Sequence, residues 1–268
     1  MTTPTTQLTP AKRMSSMLSA DSVKAQFHNA LKEHSDLFLA SILDIYSDAY
    51  LQKCDPGKVI QECLKAATLK LPLNKSLGFA YVVPYKDVPT FIIGYKGLIQ
   101  LAMRTGAYRT INADVVYEGE LQQTDKLTGT IDLAGTRTGD KVVGYFAHFE
   151  TVNGFRKTAF MLADDMQKYA KKYSKSFNAP SSPWKTEPDA MGIKTMLRKL
   201  LGKYGIMSVE FASAMAADGD TMSPVGQLDT DMAQFANREI IDIDTDTGEV
   251  LPLATAAAGQ SENQAPSF

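Results

Sequence analysis

The dipeptide Asn153-Gly154 constrains this chain more than any other pair of residues. It stands between residues 142–151 and 155–162, two runs rich in β-branched and aromatic side chains. Asn-Gly accepts the positive φ angles of a tight hairpin turn at little cost, and such turns match the twist of paired strands. A connection this short has no room for a crossover helix, so the two strands are antiparallel neighbours. A second hairpin is expected where residues 77–85 and 90–95 flank Lys86-Asp87-Val88-Pro89. Residues 108–117 read as a further strand, and the polar, Gly/Thr-rich stretch 119–141 as a protruding hairpin or loop.

Elsewhere the apolar residues recur at helical spacing. Residues 22–34 and 36–50 read as helices, the second with Asp36 as N-cap, and Asp55-Pro56 opens a third with Pro at its first position. Residues 96–104 form a helix closed by Gly106, residues 168–173 another, and residues 187–204 a long one after the Ser/Pro linker 178–183. The expected class is therefore α+β, an antiparallel sheet with helices packed on it, and not an alternating βαβ fold.

Charge divides the chain. Residues 1–210 carry 27 Lys+Arg against 20 Asp+Glu, whereas residues 211–268 carry one Arg and ten acids. A basic body of +7 suits a polyanionic ligand; the −9 tail reads as a flexible acidic appendage without a core of its own. No apolar run is long enough to span a membrane, and residues 1–10 lack the pattern of a secretory signal. Cys54 and Cys63 offer no disulfide framework, and Cys63 reads as a small core hydrophobe, so a reducing cytoplasm is expected.

Enzyme motifs are missing. Neither Gly57-Lys58 nor Gly202-Lys203 belongs to a phosphate loop, since the upstream glycine and the following Ser/Thr are absent. No carboxylate precedes a Lys by two positions, as in many metal-dependent nucleases, and His28, His34 and His148 show no metal-ligand spacing. Neither catalysis nor a cofactor is expected.

The last helix carries the strongest binding signal. At 100° per residue, Lys194, Arg198, Lys199 and Lys203 fall at about 0°, 40°, 140° and 180°, opposite the apolar stripe of Met196, Leu197, Leu200 and Leu201. A face with four cations and no acid suits phosphates; an ordinary solvated face, or pairing of Arg198 with an internal carboxylate, are the alternatives. Basic residues also adjoin aromatic ones in Tyr85-Lys86, Tyr95-Lys96, Tyr108-Arg109, Phe155-Arg156-Lys157 and Trp184-Lys185. Such pairs suit single-stranded nucleic acid, where cations follow phosphates and rings accept bases.

The order of these motifs resembles the RecT family of phage single-strand annealing proteins. The resemblance rests on Leu77-Gly78-Phe79-Ala80-Tyr81-Val82-Val83-Pro84-Tyr85 and on Ile93-Gly94-Tyr95-Lys96-Gly97-Leu98-Ile99-Gln100-Leu101-Ala102-Met103-Arg104-Thr105-Gly106. Val142-Val143-Gly144-Tyr145, the Asn153-Gly154 turn and residues 184–205 follow in the family's order, so that residues 35–209 are covered. Where the family's last helix reads Met-Ala-Lys-Lys-Thr, this chain reads Met191-Gly192-Ile193-Lys194-Thr195, so the second Lys and the later Arg198 carry over while Ile193 replaces the first Lys.

The resemblance implies a small antiparallel sheet with hairpins backed by a long helix, related to the Redβ fold, with N-terminal helices. The organisation expected is a flexible N-terminus over residues 1–20, a body over 21–210 that the resemblance makes DNA-binding, annealing and oligomerising, and a largely disordered acidic tail over 211–268. The implied function is ATP-independent annealing of single-stranded DNA in homologous recombination, inside the bacterial host of a phage. Implied partners are single-stranded DNA, the annealed duplex intermediate, further copies in a ring or helical filament, and, through the tail, a phage exonuclease and the host single-strand-binding protein. The DNA-binding residues expected are Lys86, Tyr95, Lys96, Arg104, Lys185, Lys194, Arg198, Lys199 and Lys203. The alternative is a non-enzymatic adaptor whose basic groove and acidic tail bind proteins.

Overall fold

A computed structural model describes residues 9–174, 176–180 and 182–219. Four helices lead: α1 (Pro10–Leu18), α2 (Asp21–Leu31), α3 (Ser35–Ile45) and α4 (Pro56–Thr68). Asp55 caps α4 as expected, accepting from the Lys58 N–H at 3.0 Å, with Pro56 at the first helical position. The interval before α3 differs from expectation. Lys32 adopts a left-handed φ of 55°, residues 32–34 form a 3₁₀ turn, and Asp36 lies in the first turn of α3, where a carboxylate favours the helix dipole, with His34 at the cap position. The flexible segment expected over residues 1–20 is corrected over 10–18. There, Met14 and Leu18 recur one turn apart, and their burial against the other leading helices holds α1 in place.

Strands β1 (Ala80–Tyr85) and β2 (Val88–Ile93) form the first hairpin, with Tyr85 opposite Val88 and Lys86 at φ 56° in the two-residue turn. Helix α5 (Tyr95–Arg104) follows, then β3 (Tyr108–Tyr117) and the small ribbon of β4 (Gln123–Asp125) and β5 (Thr130–Asp132). The main sheet is completed by β6 (Val142–Thr151) and β7 (Arg156–Leu162), in the antiparallel order β3-β6-β7, with Gly154 at φ 86° in the turn singled out by its sequence. The chain ends in α6 (Ala163–Tyr173), the short α7 (Pro183–Thr186), α8 (Pro188–Tyr204) and α9 (Val209–Ala217).

Alternate residues Tyr145, Ala147, Phe149 and Thr151 of β6 are buried, while Phe146, His148 and Glu150 between them are only partly covered. This is the pattern of an antiparallel sheet with one packed face, and α6 and α8 are the helices that pack against β6. The α+β class, with a small antiparallel sheet backed by a long helix, is confirmed. Cys63 is fully buried in the core, which pushes its thiol well above the ordinary range, and both cysteines are free.

The boundary expected at residue 211 moves outward. Ser208 accepts from the Phe211 N–H at 3.2 Å and caps α9, and Phe211 and Ala214 are buried in the common core. Residues 209–219 are thus part of the body, whereas the rest of the expected tail, 220–268, lies outside the described residues. No helix among the described residues is long and apolar enough to cross a membrane.

Candidate nucleic-acid interface

Two glycines explain the segment Gly94-Tyr95-Lys96-Gly97. A Cβ at Gly94 would come within 2.1 Å of the Gly78 carbonyl oxygen, and one at Gly97 within 2.2 Å of that of Phe79. The first turn of α5 therefore lies directly on the backbone of residues 78–79, tied by a 2.9 Å hydrogen bond from Gly94 N–H to Phe79 O. Tyr95 begins the helix half-buried and Lys96 extends into solvent. The motif is thus a scaffold that presents Lys96 at a fixed place.

A third glycine seats α8 on the sheet. A Cβ at Gly192 would lie 2.5 Å from Tyr145 Cε1. The ring cannot easily withdraw, because Tyr145 donates its hydroxyl to Asp189 Oδ1 at 2.9 Å. Burial, and then that carboxylate, push the Tyr145 hydroxyl far above its ordinary pKa. Gly192→Ala is expected to cost about 1–3 kcal/mol from overpacking, despite the roughly 1 kcal/mol by which Ala favours a helix. Thermal melting checks this; an unchanged midpoint would mean that α8 can lift from Tyr145 without loss.

The four cations of α8 do not form one solvated row. The helix packs on β6 through its apolar stripe and on α5 along another side, so the solvated band is narrow. Lys203 lies in it, and Lys199, half-buried, stands at its edge. Lys194, only 5% exposed, and Arg198 lie outside it and meet the buried carboxylate of Asp218. The Arg198 guanidinium also donates to the Met215 carbonyl at 2.9 Å. The expected four-cation face is corrected for this reason: a helix covered on two sides turns part of its polar face inward, where a charge requires a counter-ion.

The solvated half meets residues that the sequence reading left out. Lys199 Nζ stands 4.5 Å from the ring centre of Tyr169 on α6, and Tyr169 and Tyr173 are 4.6 Å apart. Lys203 and, from β7, Lys157 approach the Tyr204 ring at 5.1 and 5.2 Å, and Lys172 approaches Tyr173 at 5.1 Å. Burial, and then the neighbouring Lys203, lower the pKa of Lys199. Four lysines and three tyrosines from α6, α8 and β7 thus share one surface. Cations crowded beside one another gain from an added anion, and Tyr204, 38% exposed, offers a ring to a base. The signal for Tyr169, Lys172 and Tyr173 was present in Lys168-Tyr169-Ala170-Lys171-Lys172-Tyr173, where aromatics recur at i, i+4 among lysines.

The other expected residues are dispersed. Lys86 is exposed at the β1–β2 turn. Lys185 is exposed on α7, its ammonium 3.3 Å from the Asn178 carbonyl. Arg104 donates to the carbonyls of Leu69 and Lys70 at 2.6 and 3.0 Å, closing the end of α4. Among the aromatic–basic pairs, Tyr108 and Trp184 are buried; Tyr108 donates to Ile206 O at 2.9 Å, and Arg109 pairs with Glu150 at 2.8 Å.

Two relatives and one family model match this chain. "Uncharacterized protein YqaK" of Bacillus subtilis (strain 168) is 40% identical over 256 residues, which span 95% of this chain and 83% of that protein. "Protein RecT" of Escherichia coli (strain K12) is 27% identical over 219 residues, 76% of this chain and 79% of that protein. The RecT family model matches residues 36–233, a span that takes in α3 through α9 with both glycine-dependent contacts and the whole lysine–tyrosine surface, and the chain belongs to the RecT family.

Proposed function

We propose that this chain is an ATP-independent single-strand annealing protein that holds one DNA strand extended and pairs it with its complement during homologous recombination. Its membership of the RecT family over residues 36–233 carries the reading; the lysine–tyrosine surface of α6, α8 and β7 supports it. Lys157, Lys172, Lys199 and Lys203 neutralise phosphates, with exposed Lys86, Lys96 and Lys185 extending the path. Tyr204 and Tyr95 pack against bases or sugars. Arg104 acts through the end of α4. Lys194 and Arg198 stand behind the surface, on the inner side of the same helix. No covalent step is required: Watson–Crick pairing supplies the sequence fidelity, and the protein contacts backbone. It acts inside a bacterial cell as a ring or helical filament of copies, and residues 220–268 dock a partner exonuclease or the host single-strand-binding protein.

The test is pairing of complementary labelled strands with and without ATP and magnesium ions. Equal annealing in both conditions, with the strands left at full length, is expected. Strict dependence on ATP would overturn the reading, and shortening of the labelled strand would assign a nuclease activity instead.

A further inference from the structure

The carboxylate of Asp218 sits in a socket built by separate elements. Arg198 on α8 donates a guanidinium N–H to Oδ2. Lys194 Nζ lies 3.6 Å from that oxygen. The Ile93 N–H, at the end of β2, donates to Oδ1 at 3.2 Å. Asp218 is only 1% exposed. The next residue donates its own N–H to β2, Gly219 to Phe91 O at 2.9 Å, so residues 218–219 are fastened along the edge of that strand.

Two cations and a backbone N–H converging on two oxygens that share one negative charge is also the donor set of a phosphodiester site. The socket is continuous in sequence with the lysine–tyrosine surface, because Arg198 and Lys199 are neighbours on α8. A strand crossing the helix there passes from one to the other. Its present occupant follows directly on α9, at the head of the acidic stretch of the sequence.

We propose that Asp218 stands in for a DNA phosphate: single-stranded DNA exchanges a phosphodiester for the Asp218 carboxylate between Lys194 and Arg198, and the exchange unfastens residues 218–219 from β2. This rests on the reading that DNA is tracked along α8, and adds a regulated phosphate site to it. One monovalent anion replaces another, so the two cations always have a counter-ion. A tethered carboxylate competes at high effective concentration. Free inorganic phosphate therefore fails to displace it, whereas a strand already held on the neighbouring lysines competes as a tethered ligand too. Binding of a long strand thus releases the chain beyond α9, and a short one does not.

Backbone hydrogen exchange of the full chain, with and without long oligothymidylate, tests the swap on unaltered protein. The Gly219 amide is expected to exchange faster with DNA bound while that of Ile93, whose acceptor becomes the phosphodiester, keeps its protection, and both are expected to be unaffected by inorganic phosphate or very short oligothymidylate. In parallel, Asp218→Asn keeps an acceptor for the Ile93 N–H but removes the competing charge. It is expected to bind oligothymidylate about tenfold tighter at low salt, the factor expected where the socket of the parent is open in roughly a tenth of molecules. Unchanged exchange at the Gly219 amide under saturating DNA overturns the proposal, as does an Asp218→Asn protein that melts cooperatively and binds like the parent. Both results leave the α8 reading standing. That reading is tested separately by replacing Lys157, Lys199 and Lys203, whereas parental DNA affinity in a folded Lys194→Gln/Arg198→Gln/Asp218→Asn variant, a socket without charge, would remove the two cations from the DNA path and overturn the swap as well.

Discussion

Replacing Lys157, Lys199 and Lys203 together by Gln is expected to flatten the salt dependence of single-strand binding by about 2 in log–log slope, at about 0.7 per phosphate contact. A change of that size is roughly a hundredfold in affinity for each tenfold dilution of salt. The three ammonium groups stand over the Tyr169 and Tyr204 rings, and none has a carboxylate among its described ion pairs. Their removal strands no buried partner, and the fold is expected to hold. The measurement is oligonucleotide affinity at several salt concentrations beside a melting curve. A folded triple variant with the parental slope would make this an ordinary solvated surface and move the DNA path elsewhere.

Arg198→Ala is expected to act chiefly on stability, lowering the unfolding free energy by about 3 kcal/mol, the lower end for breaking a buried ion pair. The lower end applies because Lys194 remains 3.6 Å from the stranded carboxylate. The Met215 carbonyl also loses its guanidinium donor. For a domain of this size the loss corresponds to about 6–12 °C in melting temperature. Arg198→Lys keeps the charge but not the fork that reaches Asp218 and Met215 at once, so an intermediate loss is expected. A melting curve of Arg198→Ala that overlays the parent would show that Asp218 is held without Arg198. The same geometry decides where the chain can be cut. The cut falls after Gly219, since a form ending at Ala217 loses the counter-ion of two buried cations.

Apart from Lys157 on β7, those two variants concern residues of one helix, Arg198, Lys199 and Lys203, which a helical wheel assigns to one basic face. The wheel was right about angles and about the apolar stripe: Met196, Leu197, Leu200 and Leu201 are all buried. It could not show that α5 covers a second side of the helix. Nor could it find the partner of Arg198, because Asp218 is twenty residues away, in a stretch whose composition reads as solvated tail. Likewise, Lys157 and Lys203 are far apart in sequence and meet only because β7 and α8 bring both to the Tyr204 ring.

The features legible in the sequence are therefore local. Asn153-Gly154 set the β6–β7 hairpin, Asp55-Pro56 started α4, and the alternating buried residues of β6 chose its packed face, because turn geometry, capping and side-chain period act over a few residues. The glycines of Gly94-Tyr95-Lys96-Gly97 were legible as a motif, but their purpose was not; only the backbone of residues 78–79 lying 2.1–2.2 Å from where each Cβ would stand explains them. Tertiary structure alone decided which cations of α8 face water and which face Asp218. Burial of a charge depends on what else packs against its helix, and in this chain that is settled by β2, α5 and α9, elements distant in sequence whose approach no local pattern encodes.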